Sequence, residues 1–284
     1  DKGNYGVEYV LRDVLEGRDV KARRQRIARG FYGRVFGGDN SEPEDGLDVV
    51  TTLDLEMQDV ADRALRRQLE AQNALWGTAL VMEVATGDLL AMANLSRTKS
   101  GAYAEVKNHA LSSRMEPGST FKLAALLALV DDAGMSLDET FDTGNGARVK
   151  VGRTTVQDSH GLPPLNLKDA VAPSSNVFFA RAVYETYKDD PERYVDYLRH
   201  LHLDRTVGLE EFGAVAPIFP APGMKIWYPD VSIVNMGYGY AIELRPLHTL
   251  TLYNAVANDG CMVAPRLVRE IRRGGEVVER PERR

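Results

Sequence analysis

Glu116-Pro117-Gly118-Ser119-Thr120-Phe121-Lys122 runs directly into Leu123-Ala124-Ala125-Leu126-Leu127-Ala128-Leu129-Val130. The apolar run predicts a buried helix, and Pro117-Gly118 suits its entry. Positions i and i+3 share a helix face, so the Ser119 hydroxyl and the Lys122 amine can meet in space. A lysine on buried ground is unusual without a task. Burial favours the neutral amine, which can take a proton from a serine. The positive end of the helix favours an anion forming on an acyl group beside it. The stretch is thus a candidate for serine acyl-transfer chemistry. The same residues also fit an ordinary helix start, since serine is a common cap.

Spacing alone does not decide between these readings. Ser96-Arg97-Thr98-Lys99 repeats S-x-x-K in a polar stretch with no apolar period and reads as an exposed loop. A second box follows the first: Ala172-Pro173-Ser174-Ser175-Asn176-Val177-Phe178-Phe179-Ala180. Pro173 is expected to interrupt a helical segment over 167–172, and Ser174 or Ser175 to cap the next, from 177 to about 187. That is one reading, a loop closed by a capping serine. The other is an S-x-N box, with the Ser174 hydroxyl relaying protons and the Asn176 amide binding a substrate carbonyl.

In this order the two boxes resemble the penicillin-binding, penicilloyl-serine transferase family, whose motif set is S-x-x-K, then S-x-N, then K-[ST]-G. The resemblance extends over most of the chain. Asp48-Val49-Val50-Thr51-Thr52-Leu53-Asp54 with Met57-Gln58 resembles the opening of the family's transpeptidase domain, and residues 81–92 resemble its first hairpin. Gly237-Tyr238-Gly239, Arg245-Pro246-Leu247-His248 and residues 253–260 are similar to its late core helix. Residues 1–47 carry no glycosyltransferase signature. Their Gly6-Val7-Glu8-Tyr9 and Leu15-Glu16-Gly17 look like the non-catalytic linker of class B, monofunctional members, most like the septal, cell-division type.

The resemblance implies an α+β transpeptidase fold, an antiparallel sheet flanked by helices, over 48–284, after a small linker domain over 1–47. It implies a peptidoglycan D,D-transpeptidase that cross-links stem peptides in cell division. Ser119 would be the nucleophile, Lys122 the general base, Ser174 the proton relay and Asn176 the group orienting the donor peptide. β-Lactams would acylate the same serine, and no cofactor or metal is expected. The implied partners are stem peptides, β-lactams and membrane division proteins including a glycosyltransferase. The implied location is the periplasmic face of the cytoplasmic membrane, with an anchor helix upstream of Asp1. A serine β-lactamase or β-lactam sensor shares S-x-x-K, and a non-catalytic divisome scaffold would share the fold.

One departure stands out. No K-[ST]-G follows Asn176, and Lys99-Ser100-Gly101, which precedes the nucleophile, reads as a chance match in a loop. The resemblance then implies that the chain, ending at Arg284, is C-terminally truncated shortly before the strand carrying that box. An oxyanion hole needs two backbone N–H groups. One would come from Ser119 and the other from the missing strand, so these 284 residues are expected to be acylated poorly or not at all.

Composition bounds the rest. With 284 residues, 44% of them hydrophobic, the chain can bury one large core and a small appendage. The net charge of −6 argues against nucleic acid as a partner. The basic cluster Lys21, Arg23, Arg24, Arg26, Arg29 and Arg34 is followed by Asp39, Glu42, Glu44, Asp45 and Asp48, a self-compensating linker. Cys261 is the single cysteine, so no internal disulfide framework exists. The longest apolar run, 123–130, is far short of the roughly 20 residues a membrane span needs. His200 and His202 lie two apart on an expected helix and point to different faces, and no metal constellation is apparent. His160, in Gln157-Asp158-Ser159-His160-Gly161, lacks a G-x-S-x-G elbow and reads as a loop histidine. Gly237-Tyr238-Gly239-Tyr240 lacks the third glycine of a nucleotide loop.

Local pattern predicts a glycine-rich break over 37–46, a strand over 49–52, and a helix capped by Asp54. That helix should bury Met57, Val60, Ala61, Ala64, Leu65 and Leu69 on one face. Residues 78–84 and 89–93 form a hairpin about Ala85-Thr86-Gly87-Asp88, and 267–271 with 276–278 form another. Residues 135–164 read as irregular, 212–231 as proline-rich loop, and helices are expected from Pro191 and over 249–257. Antiparallel hairpins separated by helices point to α+β.

Overall fold

The computed structural model describes residues 6–17, 22–28, 31–36 and 44–281. Contacts divide the chain into Leu53–Pro265 and a second unit of Asp1–Thr52 with Arg266–Arg284.

In the larger unit, the Asp54 carboxylate accepts from Met57 N at 2.9 Å and starts the helix Leu55–Gln72. The helix ends where Asn73 turns left-handed at φ 49°. Its buried row is narrower than the apolar pattern predicts. Ala61 and Leu69 are buried and Leu65 partly so, while Met57, Val60 and Ala64 face solvent. The cause is polar: the Gln58 carboxamide accepts from Met92 N at 2.7 Å and donates to Met92 O at 3.3 Å. That pairing with a strand backbone rolls the helix toward Gln58.

The strand in question belongs to the hairpin Trp76–Met82 and Leu89–Arg97, antiparallel with Ala79 opposite Ala93. Leu89, Ala91, Met92, Ala93, Asn94 and Leu95 are all buried, a run covered on both faces rather than an alternating one. The strand continues through Ser96 and Arg97, so the first two residues of the second S-x-x-K are not loop. The Ser96 hydroxyl pairs with His109 Nε2 at 2.7 Å. Only Thr98 to Gly101 form the exposed turn that the sequence predicts, closed by Gly101 N to Thr98 O.

The helical core centres on Asn176–Tyr187, where Val177, Phe178, Phe179, Ala180, Ala182, Val183 and Tyr187 are buried. A helix apolar nearly all round has to be surrounded by protein. Ala124, Ala125, Ala128 and Leu129 pack against it, as do Tyr194 and Leu198 of the helix Pro191–His200. The 135–164 stretch is not irregular throughout. Thr140–Phe141 pairs with Leu165–Asn166, and Val149–Val151 pairs with Thr154–Val156. Strands this short carry too few residues to show a period.

In the smaller unit, Ala22–Ala28 pairs with Phe31–Phe36. Asp48–Thr51 pairs with Val268–Arg273, which pairs in turn with Glu276–Glu279. The sheet buries Leu267, Val268 and Ile271. Contacts group residues 48–52 and 266–284 with the N-terminal segment. Lys21, Arg29, Asp39 and Glu42 of the charged stretch, and the glycine-rich break over 37–43, lie outside the described residues. The architecture is α+β, with antiparallel sheets and flanking helices, as the hairpin pattern predicts.

Candidate active site

The turn bearing Ser119 is held from several sides. Gly118–Phe121 is a 3₁₀ turn, followed without a break by the α-helix Lys122–Leu127 and a π turn, Ala128–Asp132. Gly118 sits at φ +55° and donates its N–H to Gly239 O at 2.9 Å. Gly239 is at φ +92°, and a Cβ there would lie 1.9 Å from Gly118 O, so no side chain fits. Glu116 Oε1 accepts from Ala241 N at 3.0 Å, and Tyr253 OH donates to Thr120 O at 3.1 Å. The Gly237-Tyr238-Gly239 segment is therefore a brace for the serine turn. The sequence offered a cue, paired glycines in an apolar setting, but nothing in it points to residue 118.

Phe121, Ala124 and Ala125 are buried, and they carry Lys122 inward with them. Lys122 is only 6% exposed. Its Nζ lies 3.1 Å from Ser119 Oγ, 3.0 Å from Ser174 Oγ, 2.6 Å from Ser174 O and 2.7 Å from Asn176 Oδ1. The Phe179 ring lies 5.8 Å from Nζ. Burial pushes the lysine down from 10.5 to about 8, and the nearby Asp158 carboxylate partly opposes it. Near neutral pH about a tenth of the amines are then uncharged.

Two of the four partners can only accept. Ser174 O is a carbonyl, and Asn176 points its Oδ1 at the lysine while Nδ2 donates to Gln157 O at 3.4 Å. A neutral amine has two N–H groups and one lone pair. With both N–H groups taken by the two carbonyls, the lone pair is left facing the two serine hydroxyls. That is the orientation in which the amine can accept a hydroxyl proton. Ser119 itself is exposed, so its oxygen is open to an incoming group.

The 174–176 loop is set by its own helix. Ser175, not Ser174, is the cap: it is fully buried and its Oγ accepts from Phe178 N at 3.0 Å. Ser174 adopts φ +55°, a left-handed conformation costly for a residue with a Cβ. Asp158, buried beneath the loop, accepts from Ser175 Oγ at 2.8 Å, from Asn176 N at 2.5 Å and from Val177 N at 3.2 Å. No role for Asp158 is legible in the sequence, and its near neighbour His160 reads there as a loop histidine. The histidine is exposed and pairs with Ser159 Oγ at 2.9 Å. A single acid in a polar loop carries no signal of the helix end it will meet.

A serine hydroxyl beside a buried amine, with two carbonyls fixing the amine, is an arrangement chemically suited to serine acyl transfer. Residues 77–284 match the family described as penicillin binding protein transpeptidase domain. The chain is 26% identical over 268 residues to a probable peptidoglycan D,D-transpeptidase PenA of Neisseria meningitidis, covering 92% of this chain and 45% of that protein. It is 29% identical over 282 residues to penicillin-binding protein PbpB of Mycobacterium tuberculosis, covering 94% and 39% respectively. Among solved structures, penicillin binding protein 3 of M. tuberculosis complexed with ampicillin superposes with a TM-score of 0.79 at 26% identity. That match covers 99% of this chain and 59% of the other. The chain belongs to the penicillin-binding protein transpeptidase family. It spans less than half the length of the two curated relatives.

Proposed function

We propose that this chain carries the acyl-transfer centre of a class B peptidoglycan D,D-transpeptidase that cross-links stem peptides during cell division. The observation that supports this most is the four-way contact of Lys122 with Ser119, Ser174 and Asn176. Ser119 Oγ bonds to the carbonyl carbon of a D-alanyl-D-alanine terminus as its proton passes to Lys122 Nζ. The tetrahedral adduct then breaks its C–N bond, and the proton passes through Ser174 Oγ to the departing amine of D-alanine. Asn176 orients the donor amide. The amino group of a neighbouring stem peptide attacks the ester, forming the cross-link and restoring Ser119.

The strained amide of a β-lactam takes the place of the donor terminus, as the ampicillin complex of the mycobacterial relative suggests. The Ser119 N–H supplies one oxyanion donor. The second belongs to a strand marked K-[ST]-G, which does not follow Asn176 in this sequence. The setting fits the outer face of the cytoplasmic membrane among division proteins, a glycosyltransferase included. Among the described residues no helix is long and apolar enough to cross a membrane.

The test is labelling with a fluorescent penicillin of the protein as its cell makes it, followed by tryptic digestion and mass spectrometry. The adduct is expected on the peptide of residues 115–122 and is expected to vanish in Ser119→Ala. An adduct elsewhere, or fast turnover of a chromogenic β-lactam as in a β-lactamase, overturns the reading.

A further inference from the structure

Asp158 is buried at 6% exposure, costly ground for a carboxylate unless its oxygens are filled. Among the described residues they are filled from one helix start, residues 175–177. One oxygen takes the N–H groups of Asn176 and Val177, and the other takes the Ser175 hydroxyl. With Ser175 Oγ on Phe178 N, the first three amides of the helix Asn176–Tyr187 are all satisfied. The positive end of that helix favours the anion as well. Ser175 already serves as the cap, so starting the helix does not account for a second, charged group.

The neighbouring backbone does account for it. Ser174 is held at φ +55°, and that conformation turns both its carbonyl and its hydroxyl onto Lys122. A strained residue persists only when what surrounds it is over-determined. On one side Ser174 N and Ser175 N bond back to Val171 O and Ala170 O. On the other, the carboxylate fixes three successive residues, 175 to 177, and with them the direction in which the Asn176 side chain leaves the helix.

We propose that Asp158 is the positioning residue of the site, clamping residues 175–177 so that Ser174 and Asn176 stay on Lys122. The role attributed to Lys122 rests on the function proposed above, but the clamp does not. Around Lys122 Nζ stand Ser119, Ser174, Asn176 and the Phe179 ring, all uncharged, and Asp158 is the charge that acts on it. Around Asp158 stand Ser175 to Val177 from the helix and Gln157, Ser159 and exposed His160 from its own loop, with Lys122 across the loop.

Two variants separate the parts. Asp158→Asn keeps an oxygen for the two amides and removes the charge. Asp158→Ala removes both. In the 284-residue chain, labelled at the lysine ε-carbon, NMR titration is expected to show Lys122 moving to lower pH in Asp158→Asn. In the whole protein, penicillin acylation by Asp158→Ala is expected to fall by about ten- to a hundredfold, with Asp158→Asn recovering much of it. An unmoved lysine titration in a folded Asp158→Asn protein, or wild-type acylation by Asp158→Ala, overturns the proposal. If Ser119 takes no penicillin even in the wild type, the transpeptidase reading fails, and the lysine titration still decides the role of Asp158. Should Asp158→Ala not fold, Asp158→Asn carries the test by itself.

Discussion

Lys122 is a residue whose chemistry and stability contributions have opposite signs. Its folded value of about 8 lies below the ordinary 10.5, so between those two values the unfolded chain holds a proton that the native state has released. Stability therefore rises with pH through that window, and the buried ammonium costs its full penalty below it. The size is roughly 3 kcal/mol, from the two values and about 1.4 kcal/mol per unit. Lys122→Met removes the titration. Denaturant unfolding from neutral pH to above the ordinary lysine range is expected to show wild type gaining that much on the variant. A parallel pair of curves would mean that the amine is not desolvated. The sequence made the Ser119–Lys122 pairing legible because it is local, one helical turn of i to i+3. It gave no hint that two carbonyls would hold the amine, because Ser174 O and Asn176 Oδ1 arrive from beyond another helix.

At the scale of elements, the site is two helix starts facing each other, each braced from outside. The brace of the first is the Gly237–Gly239 segment, and its tightest contact is Gly239 against the Gly118 carbonyl. Gly239→Ala meets both a left-handed backbone and a 1.9 Å approach. It is expected to cost on the order of 1–3 kcal/mol and to slow penicillin labelling of Ser119, read as a lowered melting temperature and a lower acylation rate. Wild-type labelling in that variant would falsify the brace. Helix starts and hairpins were the most legible elements, because caps and turns are local chemistry. Asp54 caps as its position predicts, Ser175 is the one of the two candidate serines that caps, and Asp190 caps the helix that Pro191 opens. The buried face of Leu55–Gln72 was less legible. The apolar pattern allowed several rotations, and the bonds of Gln58 to a distant strand selected one.

For the whole molecule, buried His248 lowers stability in acid. His248 is buried, its Nε2 donating to Arg205 O at 2.7 Å and its Nδ1 accepting from Arg245 Nε at 3.3 Å. Burial first, and the Arg245 cation after it, push His248 down to about 4 from 6.5. Arg245 is itself wholly buried, and its two Nη atoms have no hydrogen-bond partner among the described residues. As pH falls from 6.5 to about 4 the unfolded chain takes up a proton the native state refuses. Stability present above that window is lost across it, by roughly 3 kcal/mol. Unfolding curves for His248→Gln are expected to lack this loss, and an unchanged acid profile would place the weakness elsewhere. By itself the sequence determined the α+β class, the hairpins, the capped helix starts and the Ser119–Lys122 pair, because each follows from neighbours within a turn or a strand. Tertiary structure alone decided that Asp158 lies under the Ser174 loop, that Gly239 abuts Gly118, and that Val268–Arg273 pairs with Asp48–Thr51. Those contacts join residues far apart along the chain, and only the packing of the folded core brings them within reach.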